Sequence, residues 1–227
     1  MKLTEDDKQY MIAWLRNYID DHCIIRRPTN DDNFVLKSTV AGKNYNWQFY
    51  LRRGLFNSKF LSYAGCLFWD KYYEMYKHRP FQIAGMETGS TPLIVGIAMS
   101  ASLYDLSVNA FSIRKDRKKY GLLNRMEGIP NTDPVFLVDD LCNSKNNLML
   151  AKQYCEEEGL RLYDHAFTIV NKNVYDSDPV DHDKFLGDTI KVESLFKTTD
   201  FHLTFEEYNK VQSLMLGDSN EQNNMQN

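Results

Sequence analysis

The stretch Val135-Phe136-Leu137-Val138-Asp139-Asp140-Leu141-Cys142-Asn143-Ser144-Lys145-Asn146-Asn147 decides how this chain is read. Four apolar residues run into two adjacent carboxylates, Asp133 and Pro134 mark the start, and helical spacing resumes near Leu148. A short apolar run, then a polar turn, then a helix is the pattern of a buried parallel strand. In open α/β sheets, ligands collect beyond the carboxyl ends of such strands. Two acids there are not packing residues, because burying an unpaired carboxylate is costly. Ionised carboxylates accept hydrogen bonds from vicinal hydroxyls, so the pair suits a polyhydroxylated ligand. The alternative is a helix-capping Asp with a solvated neighbour.

The same alternation extends outward from this stretch. Thr4 with Glu5, Asp6 and Asp7 reads as a helix start, and Met11, Leu15 and Ile19 carry helical spacing to about His22. Segments 34–40 and 45–52 read as a hairpin around Ala41-Gly42-Lys43-Asn44. Residues 57–77 form a helix with Phe60, Leu61, Ala64, Leu67 and Phe68 on one side, and 81–85 a short strand. Thr91-Pro92 opens a helix to about Leu103, and 108–113 is the next strand. Residues 114–133 are polar, basic and Gly-containing, which predicts a long mobile loop. A helix over 144–159, a strand over 162–170 and an edge strand over 190–196 follow. Thr198-Thr199-Asp200 is expected to cap a last helix ending near Leu216.

Alternating strands and helices predict an α/β fold, a parallel twisted sheet flanked by helices, with the 34–52 hairpin as a small N-terminal hood. The organisation expected is one domain over 1–216. It comprises the N-terminal helix and hood (1–56), the core (57–171) and a C-terminal extension (172–216). The polar, Asn/Gln-rich segment 217–227 reads as a disordered tail.

Composition narrows the function. The chain has 227 residues, 43% of them apolar, enough for a sizeable core. A net charge of −4 argues against a general nucleic-acid binder. Cys23, Cys66, Cys142 and Cys155 show no paired spacing, which argues against zinc and for free thiols in a reducing cytoplasm. No leader or membrane-length apolar stretch is visible.

Three polar segments follow three successive strands: Gly85-Met86-Glu87-Thr88-Gly89-Ser90-Thr91-Pro92, Arg114-Lys115-Asp116-Arg117-Lys118-Lys119-Tyr120-Gly121, and Asp139-Asp140 with its loop. The sheet rule puts all three at one edge. The first combines two glycines, hydroxyls and a helix start, which suits a phosphate. The second packs five cations and one acid into six residues. Alone, the glycines mark a turn and the basic run a solvated surface. Together they describe a site for a sugar carrying several phosphates, with cations and N–H groups on phosphates and acids on hydroxyls.

These segments resemble the type I phosphoribosyltransferases, most closely the orotate phosphoribosyltransferases. VFLVDD resembles the motif for 5-phosphoribosyl 1-pyrophosphate (PRPP), and GMETGSTP resembles the pyrophosphate loop, with Ser90 at the second of its paired glycines. FSIRKDRKKYG resembles the orotate subfamily's basic loop, Phe34-Val35-Leu36-Lys37-Ser38 its base-site segment, and Arg53-Gly54-Leu55-Phe56-Asn57 also has a family flavour. The likeness spans about residues 34–171. It implies transfer of phosphoribose from PRPP to a nitrogenous base, orotate or an altered one, with release of pyrophosphate. Asp139 and Asp140 would hold the ribose hydroxyls, and Asn143, Ser144, Lys145, Asn146 and Asn147 the 5′-phosphate. Glu87, Thr88, Gly89 and Ser90 would line the pyrophosphate, with Arg114, Lys115 and Lys118 neutralising it, Lys118 from the basic loop. Lys37 would lie near the base. Mg²⁺ would be carried by the pyrophosphate and bound by no protein ligand directly. A homodimer is implied, the basic loop reaching the partner's site.

The chain also departs from the pattern. Lys145 stands where Gly or Ala is expected, and its Cβ obstructs a close backbone wrap around phosphate unless the ammonium takes over that role. Tyr120 replaces the loop His, Thr39 a Gly, and Asn171-Lys172 fall where the subfamily has an orotate-binding Arg. Three readings stay open: an active transferase, a non-catalytic relative that binds a nucleotide or PRPP as a sensor, partner or effector module, and a nucleic-acid binder using 114–119.

Overall fold

The N-terminal helix starts where its capping residues predict. In α1 (Glu5–Tyr18) the Thr4 hydroxyl accepts the Asp7 N–H at 3.1 Å, and the Asp7 carboxylate accepts the Thr4 N–H at 3.3 Å. Each group satisfies a donor that a helix start leaves open. The structure is a computed structural model that describes residues 2–28, 36–37, 44–116, 124–143, 145–172 and 190–224. After a π turn over Ile19–Cys23, β1 (Ile24–Arg26) begins.

The expected hairpin is divided. Strand β2 (Leu36–Lys37) pairs with β3 (Asn44–Tyr45), whereas β4 (Trp47–Phe49) pairs antiparallel with β1. Arg52, read as strand, belongs to helix α2 (Arg52–Leu55). Burial explains the switch. Phe49 and Leu51 are buried at strand spacing, and Leu55, four residues on, is buried at helical spacing. Helix α3 (Ser58–His78) follows, its first turn capped by the Asn57 side chain, which accepts the Phe60 N–H at 3.1 Å.

The central sheet contains β5 (Gln82–Met86), β6 (Ala110–Ile113), β7 (Met126–Glu127), β8 (Val135–Cys142), β9 (Leu162–Asn171) and β10 (Lys191–Lys197). Its order is β10-β9-β8-β5-β6-β7, parallel except for β7. The segment 114–133, read as a loop, thus carries a return strand. Met126 pairs with Ile113 and buries its side chain. Strand β8 runs four residues past Val138, because β9 supplies partners as far as Cys142↔Asn171. On its other side β5 pairs only to Ala84↔Leu137, so the sheet opens between β5 and β8 just before the two acids.

Helices α4 (Thr91–Ser100) and α5 (Asn146–Glu157) make the crossovers. The aromatics scattered in sequence converge on one face of the sheet. The Phe68 ring lies 5.6 Å from Phe136 and 5.3 Å from Phe167, both in edge-to-face contact. The other face packs Leu148, Ala151 and Cys155 of α5 against Leu137 and Ala166. All four cysteines are buried free thiols. Among the described residues no helix is long and apolar enough to cross a membrane.

Two C-terminal expectations are corrected. Thr198–Asp200 is a single 3₁₀ turn, and the last helix, α6 (Phe205–Asn224), is capped instead by Thr204. Glu207 N–H donates to the Thr204 hydroxyl at 3.2 Å, and the Glu207 carboxylate accepts the Thr204 N–H at 3.1 Å. The helix runs past Leu216 to Asn224, so most of the segment read as a disordered tail is helical.

Candidate active site

The carboxyl ends of β8, β5 and β6 lie side by side, which brings Glu87, Arg114 and the Asp139–Asp140 pair to one edge. Glu87 N–H donates to the Ile113 carbonyl at 2.8 Å and ties the first loop to β6. The Glu87–Thr88 peptide is cis. A Cβ at Gly85 would stand 2.2 Å from the Val138 carbonyl oxygen, so only glycine allows the end of β5 to lie this close to β8. A Cβ at Gly89 would stand 3.2 Å from Asp140 Oδ1, which locates that carboxylate directly under the loop. Ser90 is turned inward, contrary to the expectation that it lines a ligand. Its hydroxyl is buried and donates to the Met86 carbonyl at 2.5 Å. Thr88 is exposed. It borders an apolar cleft of about 680 Å³ with Leu55, Phe56, Pro92 and Val95.

The two acids are not equivalent, because consecutive strand residues point to opposite faces. Asp140 is half-buried beside Gly89, whereas Asp139 is only 4% exposed. Asp139 Oδ1 accepts the Asp140 N–H at 2.9 Å, and Oδ2 accepts the Asn147 side chain at 3.3 Å. Burial first, and then the neighbouring Asp140 charge, push the Asp139 carboxyl well above the usual carboxylate range. Both acids were expected beyond the strand end. They lie within the strand, since β9 pairs with their backbone.

Asp139 borders a second cleft, of about 270 Å³, with Asn143, Lys145, Asn146 and Asn147 at the start of α5. Lys145 adopts a left-handed conformation, φ 56°, at the helix cap. A side chain in that region costs about 1–2 kcal/mol relative to glycine. Its ammonium lies 3.5 Å from the Ile190 carbonyl. Asn143, Asn146 and Asn147 are exposed, and Ser144 lies outside the described residues.

Arg114, expected as a cation for the ligand, already faces two carboxylates. Its guanidinium lies 3.6 Å from Glu87 and 3.3 Å from Glu127. Exposed pairs of this kind are worth about 0–1 kcal/mol, so an incoming phosphate can replace them at small cost. Lys115 is exposed, and Lys118 lies outside the described residues. Lys37 is placed by its backbone alone, in register with Asn44. Lys172, just past β9, donates its N–H to the Cys142 carbonyl at 2.8 Å. Its ammonium stands 4.9 Å from the Trp47 ring and 5.6 Å from the Tyr45 ring. Sequence reading singled out position 172 but missed these aromatics, because no spacing relates residues 45 and 47 to 172.

A mainly parallel sheet flanked by helices, with Glu87, Arg114 and the Asp139–Asp140 pair at the ends of three neighbouring strands, matches the type I phosphoribosyltransferase fold. Solved structures agree. A phosphoribosyltransferase from Corynebacterium diphtheriae superposes with TM-score 0.63 at 16% identity, over 84% of this chain and 98% of that one. The Mycobacterium tuberculosis orotate phosphoribosyltransferase in complex with PRPP superposes with TM-score 0.59 at 17% identity, over 84% and 98%. In sequence, the chain is 27% identical over 140 residues to an orotate phosphoribosyltransferase of Methanocaldococcus jannaschii, spanning 61% of this chain and 72% of that protein. No family model matches the chain. The chain therefore has the type I phosphoribosyltransferase fold and is similar in sequence to orotate phosphoribosyltransferases.

Proposed function

We propose that this protein is an active pentosyltransferase that moves phosphoribose from PRPP to a nitrogenous base, orotate or an altered base, and releases pyrophosphate. The observation that carries the reading is the convergence of the 87–90 loop, Arg114 and the Asp139–Asp140 pair on three neighbouring parallel strands. In this reading Asp140 and the exposed edge of Asp139 accept the ribose hydroxyls. Asn143, Ser144, Lys145, Asn146 and Asn147 hold the 5′-phosphate at the start of α5. Glu87, Thr88 and Gly89 line the pyrophosphate, Ser90 acting only through the loop's shape, and Arg114, Lys115 and Lys118 neutralise it. The C1–O bond breaks as pyrophosphate leaves with the electron pair. A base nitrogen then bonds to C1 and gives up its proton. Holding the leaving group and excluding water supply most of the acceleration.

The donor set fits Mg²⁺, since Glu87, Asp139 and Asp140 offer only hard carboxylate oxygens. Among the described residues no three acidic, His or Cys side chains converge to enclose a metal ion. In this reading Mg²⁺ would be carried by the pyrophosphate, and the chemistry it would supply there is to neutralise charge on the leaving group. On the base side, Lys172 with Trp47 and Tyr45, together with Lys37, supports a planar, electron-rich acceptor. The test is pyrophosphate release from PRPP with Mg²⁺ across a panel of nucleobases. Base-dependent release is expected, with Asp140→Asn lowering it at least about a hundredfold, the loss of one charge-assisted contact plus misplacement of the ribose. Tight PRPP binding with no release for any base would favour the non-catalytic reading.

A homodimer belongs to the same proposal. Phe56, Val95, Met99 and Leu103 expose large apolar surfaces around and beside the 680 Å³ cleft, which supports burial against a second copy. Sedimentation at tens of micromolar is expected to show the dimer, and a pure monomer would remove this part.

A further inference from the structure

The stem of the basic hairpin is held by a contact that none of the site roles requires. Arg125 precedes β7, and its carbonyl accepts the Arg114 N–H at 2.9 Å, closing the stem. Its guanidinium lies over the Tyr154 ring of α5, 3.5 Å from the centroid. One carbonyl, that of Lys115, accepts from both residues: from Arg125 Nη1 at 3.3 Å and from the Tyr154 hydroxyl at 3.2 Å. Arg125 Nε is buried with no hydrogen-bond partner in the described structure. An apolar residue would avoid that desolvation cost, so a role confined to packing does not account for an arginine here.

Tyr154 also has a definite relation to the acids. It lies two helical turns after Asn147, and residues seven apart share a helix face. Asn147 bonds Asp139 at one end of this rod, and Tyr154 bonds the hairpin stem at the other. Leu148 and Ala151 between them, and Cys155 just beyond, are buried, so the helix transmits a displacement instead of absorbing it.

We propose that Arg125 and Tyr154 are positioning residues, a clamp that couples the two ends of the site. A ligand seated at the start of α5 would fix the helix, and the helix would fix the stem that presents Arg114 and Lys115 to pyrophosphate. Ribose 5-phosphate and pyrophosphate then strengthen each other's binding, reciprocally and by the same factor. This rests on the phosphoribosyltransferase reading above.

The experiment is calorimetric titration of Mg²⁺-pyrophosphate into the full chain, with and without saturating ribose 5-phosphate. The unaltered protein is expected to bind pyrophosphate at least about fivefold more tightly in the presence of the sugar phosphate, at the lower end of ordinary site coupling. In Tyr154→Ala and Arg125→Ala the ratio falls towards one, while the affinity for ribose 5-phosphate alone changes little. Tyr154→Phe and Arg125→Lys keep the packing and lose, respectively, the hydroxyl bond and the flat stacking, and each is expected to lower the ratio by half or more. They decide the matter if the alanine variants do not fold. A role limited to stability would lower melting temperatures and leave the ratio intact, which would overturn the proposal. So would a ratio of one in the unaltered protein when both ligands bind. If neither ligand binds the unaltered protein, the reading of the site falls as well.

Discussion

Asp139→Asn with Asp140→Asn is expected to abolish the thermal stabilisation that PRPP and Mg²⁺ give the folded protein. A ligand that binds only the native state raises its melting temperature by mass action. Each hydrogen bond from a sugar hydroxyl to an ionised carboxylate is worth about 1.5–3 kcal/mol, so losing two weakens binding by about a hundredfold or more. The buried acid adds a signature in pH. The Asp139 carboxyl is raised above its unfolded value by burial and by Asp140. Its contribution to stability is therefore complete below the unfolded carboxylate range and is lost as pH rises through the raised folded value. Asp139→Asn alone, neutral at every pH, should make the unliganded protein more stable than the parent above that range. Sugar hydroxyls favour the ionised form, so PRPP should bind the parent more tightly as pH rises, with release of a proton that this variant does not release. Melting curves across pH, with and without PRPP, read both effects. An unchanged ligand shift in the double variant would remove the acids from the site.

Lys145→Gly is expected to weaken PRPP binding about tenfold or more while leaving the unliganded fold as stable as before. At φ 56° glycine relieves strain of about 1–2 kcal/mol, offset in part by its greater freedom in the unfolded chain. The 3.5 Å contact from the ammonium to the Ile190 carbonyl is long for a hydrogen bond, so little is lost with it. The effect falls on the ligand. Lys145 borders the cleft beside Asp139, and a cation turned onto a phosphate there contributes about 1.5–3 kcal/mol, where 1.4 kcal/mol is already tenfold. Lys145→Ala separates the two causes, since it loses the charge but keeps the strained Cβ. Tighter PRPP binding by the glycine variant in calorimetry would instead mean that the side chain obstructs the cradle.

Much of the architecture was legible because it is local. Four apolar residues before Asp139, the Thr4 cap, the helical stretch after residue 57 and the crossover helices after β5 and β8 all follow from periodicity and capping, which need only near neighbours in the chain. The order of the three polar segments placed them at one sheet edge, and the structure sets their described residues Glu87, Arg114 and Asp140 there. The sequence also carried the resemblance that the comparisons support.

What remained hidden depends on partners distant in sequence. Strand β8 continues through both acids because β9 pairs with them, and that pairing sets Asp139 inward and Asp140 beneath Gly89. Ser90 faces the interior, in the space that the missing Cβ of Gly85 leaves beside β8. Arg114 meets Glu127 only because the basic segment returns as a strand, and Arg125 meets Tyr154 only because α5 packs beside that return. By itself the sequence determined which residue types were available, and in which order the strands and loops present them. Which carboxylate is buried, which cation is already paired and which ring covers which charge were decided by tertiary packing, because those quantities depend on distances between segments that periodicity does not encode.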